Sequence, residues 1–382
     1  VWRPGSGYHL RVYADDLLRP WAQALLDAVP DLFVFDIHTH VGDADPSGFT
    51  ATVDDVVGAL GVVGARAAVF PLSEPSGYRA ANEAVRAAAA AHPELVPFCR
   101  LRPDDDPVAE AERSTGAGAR GIKLHPASDS FSLFDDRLDG VFDLAERERL
   151  PVVVHSGPES EPFGEALVDL LTARPELRVV LAHAGLTDLA WLAGRVVEFP
   201  NLLFDTSWWS PSDLLTLFAR VPPGRILLGS DIPYATPLWA VHTTIRCALY
   251  SGLDRDQIAC VVGGQAARLV AGEDLLDVGP APGGPAPLDP LLERLYVYLA
   301  AAVEAVKRGE SPGDTLPLAR HSCRVPATHP HHDLTDSVLA LLDRFEKHNA
   351  HAETDNTYAA GWDLMAAATV VTRTPGPPLP AL

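Results

Sequence analysis

The residues best suited to chemistry are the two histidines of Phe35-Asp36-Ile37-His38-Thr39-His40. Successive side chains on a β-strand alternate faces, so Asp36, His38 and His40 are expected to point one way and Ile37 and Thr39 the other. Same-face neighbours stand roughly 7 Å apart along a strand, close enough for two imidazoles to reach one metal ion. In a chain with 14 histidines an H-x-H pair is weak by itself. Its weight comes from its place at the end of the apolar run Leu32-Phe33-Val34-Phe35 and from the polar residues downstream.

Those residues close further apolar runs. Lys123 and His125 end Gly121-Ile-Lys-Leu-His-Pro126, His155 ends Val152-Val-Val-His, His183 ends Val180-Leu-Ala-His, and Asp231 ends Leu227-Leu-Gly-Ser-Asp. Histidines and a carboxylate gathered at one rim would bind a divalent cation and leave a position open for water. Taken singly, His155 and His183 also suit buried core histidines, and His125, followed by Pro126, either contacts substrate or caps its strand.

Such convergence needs a fold that brings strand ends together. β-rich apolar runs occur at 32–35, 67–72, 95–101, 121–124, 151–154, 178–182, 201–204 and 225–228, with helical stretches between them such as 82–91, 138–149, 165–173 and 189–198. Their ends lie roughly 22 to 33 residues apart, the length of a βαβ step. Eight such steps predict an α/β fold, a parallel (β/α)₈ TIM barrel with its polar strand ends on one face. No G-x-G-x-x-G follows the first strand, which argues against a doubly wound dinucleotide-binding sheet. A short helix over 17–26 leads in, and 239–249 and 260–270 close the barrel.

The segment Gly279-Pro-Ala-Pro-Gly-Gly-Pro-Ala-Pro287 cannot build a core and reads as a linker. Beyond it, apolar residues at helical spacing in 292–306, 338–345 and 358–365 predict an α-helical extension. The expected organisation is a barrel unit over 1–279, the extension over 288–371 and a disordered tail over 372–382. The apolar stripes of the extension must be covered by the barrel or by a second chain, so a homo-oligomer is expected. The run His329-Pro-His331-His332-Asp333 has ligand-type residues but reads as a solvated loop.

Composition narrows the partners. A net charge of −21 with no basic patch argues against nucleic acid. No apolar run is long enough to span a membrane, and no secretory leader is read in the chain as it begins at Val1. Four scattered cysteines suit reduced thiols, hence a cytoplasmic location. Only three lysines are present, Lys123, Lys307 and Lys347, which draws attention to each. Around the predicted rim, Arg100 and Arg102 either hold a substrate carboxylate or form salt bridges. Trp208, Trp209 and Tyr234, with Phe49, either wall an apolar pocket or pack long loops.

Taken in order, Asp-Ile-His-Thr-His, Gly-Ile-Lys-Leu-His-Pro, Val-Val-His-Ser-Gly, Leu-Ala-His-Ala-Gly and Leu-Gly-Ser-Asp-Ile-Pro resemble the amidohydrolase superfamily over roughly residues 30–272. Within it they resemble the amidohydrolase-related branch that includes aminocarboxymuconate-semialdehyde decarboxylase. The resemblance implies metal binding by His38, His40, His155 and Asp231, with His183 as acid/base or orienting residue. It leaves Lys123 two roles: a carboxylated lysine bridging a second metal, or a lysine paired with a buried carboxylate. Gln265 departs from the asparagine usual in the closing motif, outside the implied site.

The function expected is that of a metal-dependent hydrolase cleaving a C–N or C–O bond of a small substrate. One divalent ion is expected, zinc before manganese, and a second if Lys123 is carboxylated. The alternatives are non-oxidative decarboxylation of an unsaturated or aromatic acid and, outside catalysis, a metal-binding barrel that serves as an assembly module.

Overall fold

Nine short parallel strands make eight barrel staves in the computed structural model, which describes residues 13–157, 160–284, 287–352, 354 and 356–381. They are β1 (Phe35–Val41), β2 (Arg66–Pro71), β3 (Leu95–Pro97), β4 (Cys99–Leu101), β5 (Ile122–Leu124), β6 (Pro151–Val154), β7 (Arg178–Leu181), β8 (Leu202–Asp205) and β9 (Ile226–Leu227). β3 and β4 are two pieces of one stave interrupted at Phe98, whose N–H donates to the Val69 carbonyl at 2.9 Å. Pairing runs β1-β2-β3 and then β4 through β9 in order. The ring closes through Ile37 N–H to the Leu228 carbonyl (2.9 Å), Asp231 N–H to His38 (2.8 Å) and His40 N–H to Ile232 (2.8 Å). The last two bonds join strand 1 to the loop that carries Asp231, so closing the barrel also brings the site together. The predicted (β/α)₈ barrel with a C-terminal helical extension is the fold observed.

The interior of the barrel is filled by Phe35, Ile37, Phe70, Phe98, Val153, Val180, Leu203 and Leu227. Val152, Val154, Val179, Leu181, Leu202 and Phe204 pack in a separate cluster with the surrounding helices. This is the alternation expected of strands covered on both faces. Strand 1 departs from it. Its pairing with β2 shifts register between Asp36 and Thr39. Ile37 stays in the interior core with Phe35, and Asp36, between them, turns its carboxylate to the N–H groups of His38 and Ser230, both at 3.0 Å. Asp36 does not share the histidines' surroundings as simple alternation predicted.

The helix expected over 189–198 is broken into Leu189–Leu192 and Val196–Glu198. Gly194 lies in the gap, where a residue of low helix propensity separates two otherwise helical runs.

After β9, helices Pro237–Tyr250, Arg255–Ala259 and Gln265–Val270 finish the barrel. Gln265 is buried and brackets the backbone of Leu276, accepting from its N–H (2.9 Å) and donating to its carbonyl (3.1 Å). Among the described residues the extension contains four helices: Pro290–Lys307, Thr315–Ser322, His332–Asn349 and Trp362–Arg373. Their apolar stripes share one core with Tyr13, Trp21 and Trp239 of the barrel unit. Trp21 Nε1 donates to Ser337 Oγ (2.7 Å) and Ala14 N–H to the Asp363 carboxylate (3.0 Å). The stripes are thus covered within the chain, which removes the ground on which an oligomer was expected.

The tail predicted to be disordered is instead held. The buried Arg246 guanidinium donates to Thr374 Oγ1 (2.9 Å), the Thr374 carbonyl (3.0 Å) and the Pro378 carbonyl (2.9 Å). Composition gave no sign of this anchor, because it comes from a helix more than a hundred residues earlier. Residues 1–12 of the predicted barrel unit and Leu382 of the tail lie outside the described residues. Among the described residues, no helix is long and apolar enough to cross a membrane.

Candidate metal centre

The polar strand ends meet at one mouth of the barrel. His38 Nε2, His40 Nε2 and Asp231 Oδ1 stand 3.0–3.2 Å from one another. His38 Nδ1 lies 2.8 Å from Asp205 Oδ2 and His40 Nδ1 lies 3.3 Å from the Pro71 carbonyl, acceptors that can only receive a proton. In the neutral rings both Nε2 atoms then present lone pairs to each other and to an ionised carboxylate oxygen. Three lone pairs at that spacing repel unless a cation lies among them. Donors bound at about 2.0–2.2 Å to one ion at right or tetrahedral angles stand about 3.0–3.5 Å apart, so the residues present fit a divalent metal.

His183 offers a further ring nitrogen: His38, His183 and Asp231 each place a ligand atom within 4.8 Å of the others'. The His183 Nδ1 donates to the Ser207 carbonyl at 2.8 Å, which leaves Nε2 as acceptor, 3.0 Å from His155 Nδ1. His155 must then donate from Nδ1, so its Nε2 carries the lone pair. His125 accepts the Ser128 N–H on Nδ1 (3.1 Å) and stacks on His155, with ring centres 3.7 Å apart. The chain His125–His155–His183 thus runs beside the His38–His40–Asp231 cluster.

Electrostatics sharpen the division. Burial pushes His40 down to about 3 and lowers His125 and His183, so these rings are neutral. Burial and Lys123 also oppose protonation of His38, but the Asp231 and Asp205 carboxylates outweigh them and raise it. Burial would raise Asp231, yet the His38 and His40 rings hold it well below the usual carboxylate range. Asp205 comes down to about 2 against its own burial, chiefly through His38. Two of these residues have left-handed backbones without being glycine: Asp231 (φ 62°) and His183 (φ 56°). Each such residue costs on the order of 1–3 kcal/mol, held in place by the surrounding bonds.

Lys123 is fully buried, with Nζ 3.1 Å from His38 Nε2 and 5.0 Å from the Phe70 ring centre, and burial lowers it to about 8. Its direct polar contact is an imidazole rather than the buried carboxylate expected for an unmodified lysine. Arg100 is committed elsewhere, its guanidinium bonded to Asp129 (3.0 and 3.1 Å) and Ser128 Oγ. Arg102 pairs with Asp105 at 2.8 Å and does not line the pocket. Both arginines therefore follow the salt-bridge reading.

Sequence reasoning missed Asp205 and Ser207. Asp205 ends β8, orients His38 and accepts from the N–H groups of His183 and Ser207 (2.9 and 3.0 Å). The available signal was a carboxylate closing an apolar strand, the same sign that marked Asp231. Gly229 packs tightly beside it: a Cβ there would come within 3.2 Å of the Asp205 carboxyl carbon and the His38 Cβ.

Above the cluster opens a cavity of about 1260 Å³. Trp208, Trp209, Tyr234 and Phe49 line it as walls, with His125, Phe131, Phe134 and Phe163 nearby. Lys307 and Trp362 of the C-terminal helices, with Tyr358 of the loop before the last helix, complete the circumference; the helix expected over 358–365 begins at Trp362.

The profile of the family described as amidohydrolase matches residues 35–271. The chain belongs to the amidohydrolase family. It is an enzyme, which sets aside the assembly-module alternative, and its family is metal-dependent and acts on small molecules. Among solved structures this amidohydrolase is similar to Metarhizium anisopliae IDCase in its apo form, at 16% identity and TM-score 0.50, covering 65% of this chain and 99% of that one. It is also similar to 5-carboxyvanillate decarboxylase from Sphingomonas paucimobilis, at 16% identity and TM-score 0.49, covering 63% and 99%. A third is 4-oxalomesaconate hydratase from Rhodopseudomonas palustris, at 16% identity and TM-score 0.48, covering 63% and 96%. At these identities the likeness is one of fold. No curated protein matches the chain. The amidohydrolase match ends at Ala271, so the C-terminal helices that wall the cavity lie beyond it.

Proposed function

We propose that this amidohydrolase is a hydrolase that cleaves a C–N or C–O bond of a small substrate using one divalent ion, zinc before manganese. The observation that carries the metal is the convergence of His38 Nε2, His40 Nε2 and Asp231 Oδ1 within 3.0–3.2 Å, with each ring's Nδ1 turned to its own acceptor. His155, whose lone pair falls on Nε2, would complete the ligand set. The ion supplies Lewis acidity toward a carbonyl oxygen and toward water.

The protein's own groups supply the proton transfers. Asp231 Oδ2 and His183 Nδ1 stand 3.9 Å apart beside the cluster, one ionised and the other neutral. As water adds its hydroxyl to the substrate carbon, its proton passes to Asp231 Oδ2, while the His183 Nδ1–H stays on the Ser207 carbonyl. The same proton then goes to the departing nitrogen or oxygen as the C–N or C–O bond breaks, which returns Asp231 to its starting state. The Ser207 carbonyl fixes His183 in one tautomer, and Asp205 fixes His38 in the orientation a ligand needs.

The aromatic walls favour a second reading, decarboxylation of an aromatic acid, in which the proton goes to carbon and no water attacks. One experiment separates the two. Metal-reconstituted protein is incubated with amides, lactones and aromatic or unsaturated carboxylic acids, and CO₂ release is followed alongside hydrolysis. Hydrolysis without CO₂ is expected. CO₂ release without hydrolysis would replace the first reading by the second.

A further inference from the structure

His125 follows β5 and reaches the cavity at its floor, where the histidine cluster lies. Its Nδ1 accepts the Ser128 N–H at 3.1 Å, which closes the turn after the strand. A ring nitrogen that accepts an N–H carries a lone pair and no proton, so the proton of this ring is on Nε2. The main chain, not the pH, sets the tautomer. His125 is therefore a hydrogen-bond donor at Nε2.

Among the described residues no acceptor meets that Nε2, and the atom is not sealed inside protein, since the half-buried ring lines the cavity. The ring lies flat on His155, with centres 3.7 Å apart and planes within 13° of parallel, which is van der Waals contact. His155 in turn meets His183 at 3.0 Å. His125 thus stands one ring away from the reacting groups rather than on the distal wall formed by the C-terminal helices. Other donors around the cavity are occupied within the protein: Tyr234 Oη donates to Asp45, Trp208 Nε1 to Asp213 and the Arg100 guanidinium to Asp129.

We infer that His125 binds an oxygen of the substrate's reacting group through Nε2–H, and that the substrate therefore carries a carbonyl or carboxylate there. Its two ring nitrogens divide the work, Nδ1 capping the strand and Nε2 serving the substrate. The Ser128 contact holds the ring before substrate arrives, so the donor needs no reorientation when charge develops on that oxygen. This inference rests on the proposal that the cavity over the histidines is the substrate site, but not on which bond is broken there.

The test uses zinc-loaded protein and two probes with the same phenyl body, benzoate and benzenethiol. Each can approach a metal through one atom, but only benzoate brings a second oxygen for His125. Two variants remove the donor and keep different parts of the histidine. His125→Phe keeps the stack on His155, and His125→Asn keeps an acceptor for the Ser128 N–H. In calorimetric titrations both variants are expected to lose about 10–100-fold in benzoate affinity, the usual worth of a hydrogen bond to a charged group, and to bind benzenethiol as wild type does. Zinc content should be unchanged. A structural role would weaken both probes together, or show in one variant and not in the other. In wild type labelled with ¹⁵N-histidine, the ring signal that both variants lack should report the Nε2–H tautomer, and its proton should shift with benzoate but not with benzenethiol. Benzoate affinity unchanged in either variant, equal loss of both probes, binding of neither probe, or a proton on Nδ1 would overturn the inference. Failure of hydrolysis in the substrate panel would overturn only the proposed reaction.

Discussion

The floor and the distal wall of the cavity are held by different forces. On the floor, His38, His40, His183 and Asp231 are each fixed by directed polar bonds, to Asp205, the Pro71 carbonyl, the Ser207 carbonyl and strand 1. On the wall, Lys307, Tyr358 and Trp362 are placed by ring packing and by a core that the extension shares with Trp21 and Trp239. Directed bonds leave few alternative arrangements, so the floor should fail abruptly and chemically. Packing is additive and forgiving, so the wall should fail by degrees, in selectivity and stability.

The largest expected effect is on the floor. Wild type should hold about one divalent ion per chain, and His38→Ala combined with His40→Ala should remove it and reduce turnover to background, as read by elemental analysis and assay. Trp362→Ala should keep the ion. If the wall variant loses it too, the two halves are not independent. Two ions in wild type would point to a carboxylated Lys123, and Lys123→Ala should then lower the count.

Next in size is the separation of proton transfer from metal binding. His183→Asn should retain the ion and lower turnover by about 10²–10⁴-fold, the usual worth of a positioned acid/base. Asp231→Asn should injure both. Should His183→Asn strip the metal while Asp231→Asn keeps it, the roles of the two residues are exchanged, and a second-metal site using His183 becomes the better account.

A smaller effect tests the outer bonds of the floor. Asp205→Asn leaves all proposed ligands in place but weakens the acceptor that orients His38 at 2.8 Å. Metal affinity, measured by competition with a chelator, should fall by about 10–100-fold. An unchanged affinity would mean that packing alone orients His38, as it does the wall.

The same contrast explains what the sequence could reveal. His38, His40, His155, His183 and Asp231 were legible because each closes an apolar strand, and a barrel gathers strand ends at one face. Asp205 carries the same sign but stands before Thr206-Ser207-Trp208-Trp209, where the tryptophans attracted the functional reading. Asp36 was misplaced because alternation presumes regular pairing, and strand 1 shifts register at that point. The wall was not legible: Trp362 and Tyr358 sit at helical spacing that reads as ordinary core, and nothing local indicates that they approach Trp208, some 150 residues earlier. Arg246 and the tail show the same blindness, since a guanidinium inside a helix does not announce which carbonyls it will hold.

The smallest predicted effect concerns how the wall is joined to the barrel. Asp363, at the start of the last helix, is fully buried and accepts the Ala14 N–H at 3.0 Å. Burial, then the nearby Asp15 carboxylate, push it up to about 8. The folded protein therefore keeps this proton between roughly pH 4 and 8, where the unfolded chain has released it. When the native state binds more protons, stability falls as pH rises. The contribution is full below the unfolded value and is lost as pH passes through about 8. One proton gives a slope of at most about 1.4 kcal/mol per pH unit. Asp363→Asn imitates the protonated form, so its stability, from urea unfolding at several pH values between 5 and 8, should decline less steeply than that of wild type. Asp36, pushed up to about 7 by its own burial, contributes with the same sign in both proteins and cancels in the difference. Parallel slopes would show that Asp363 is ionised in the folded state, and that the join between extension and barrel carries a buried charge rather than a shared proton.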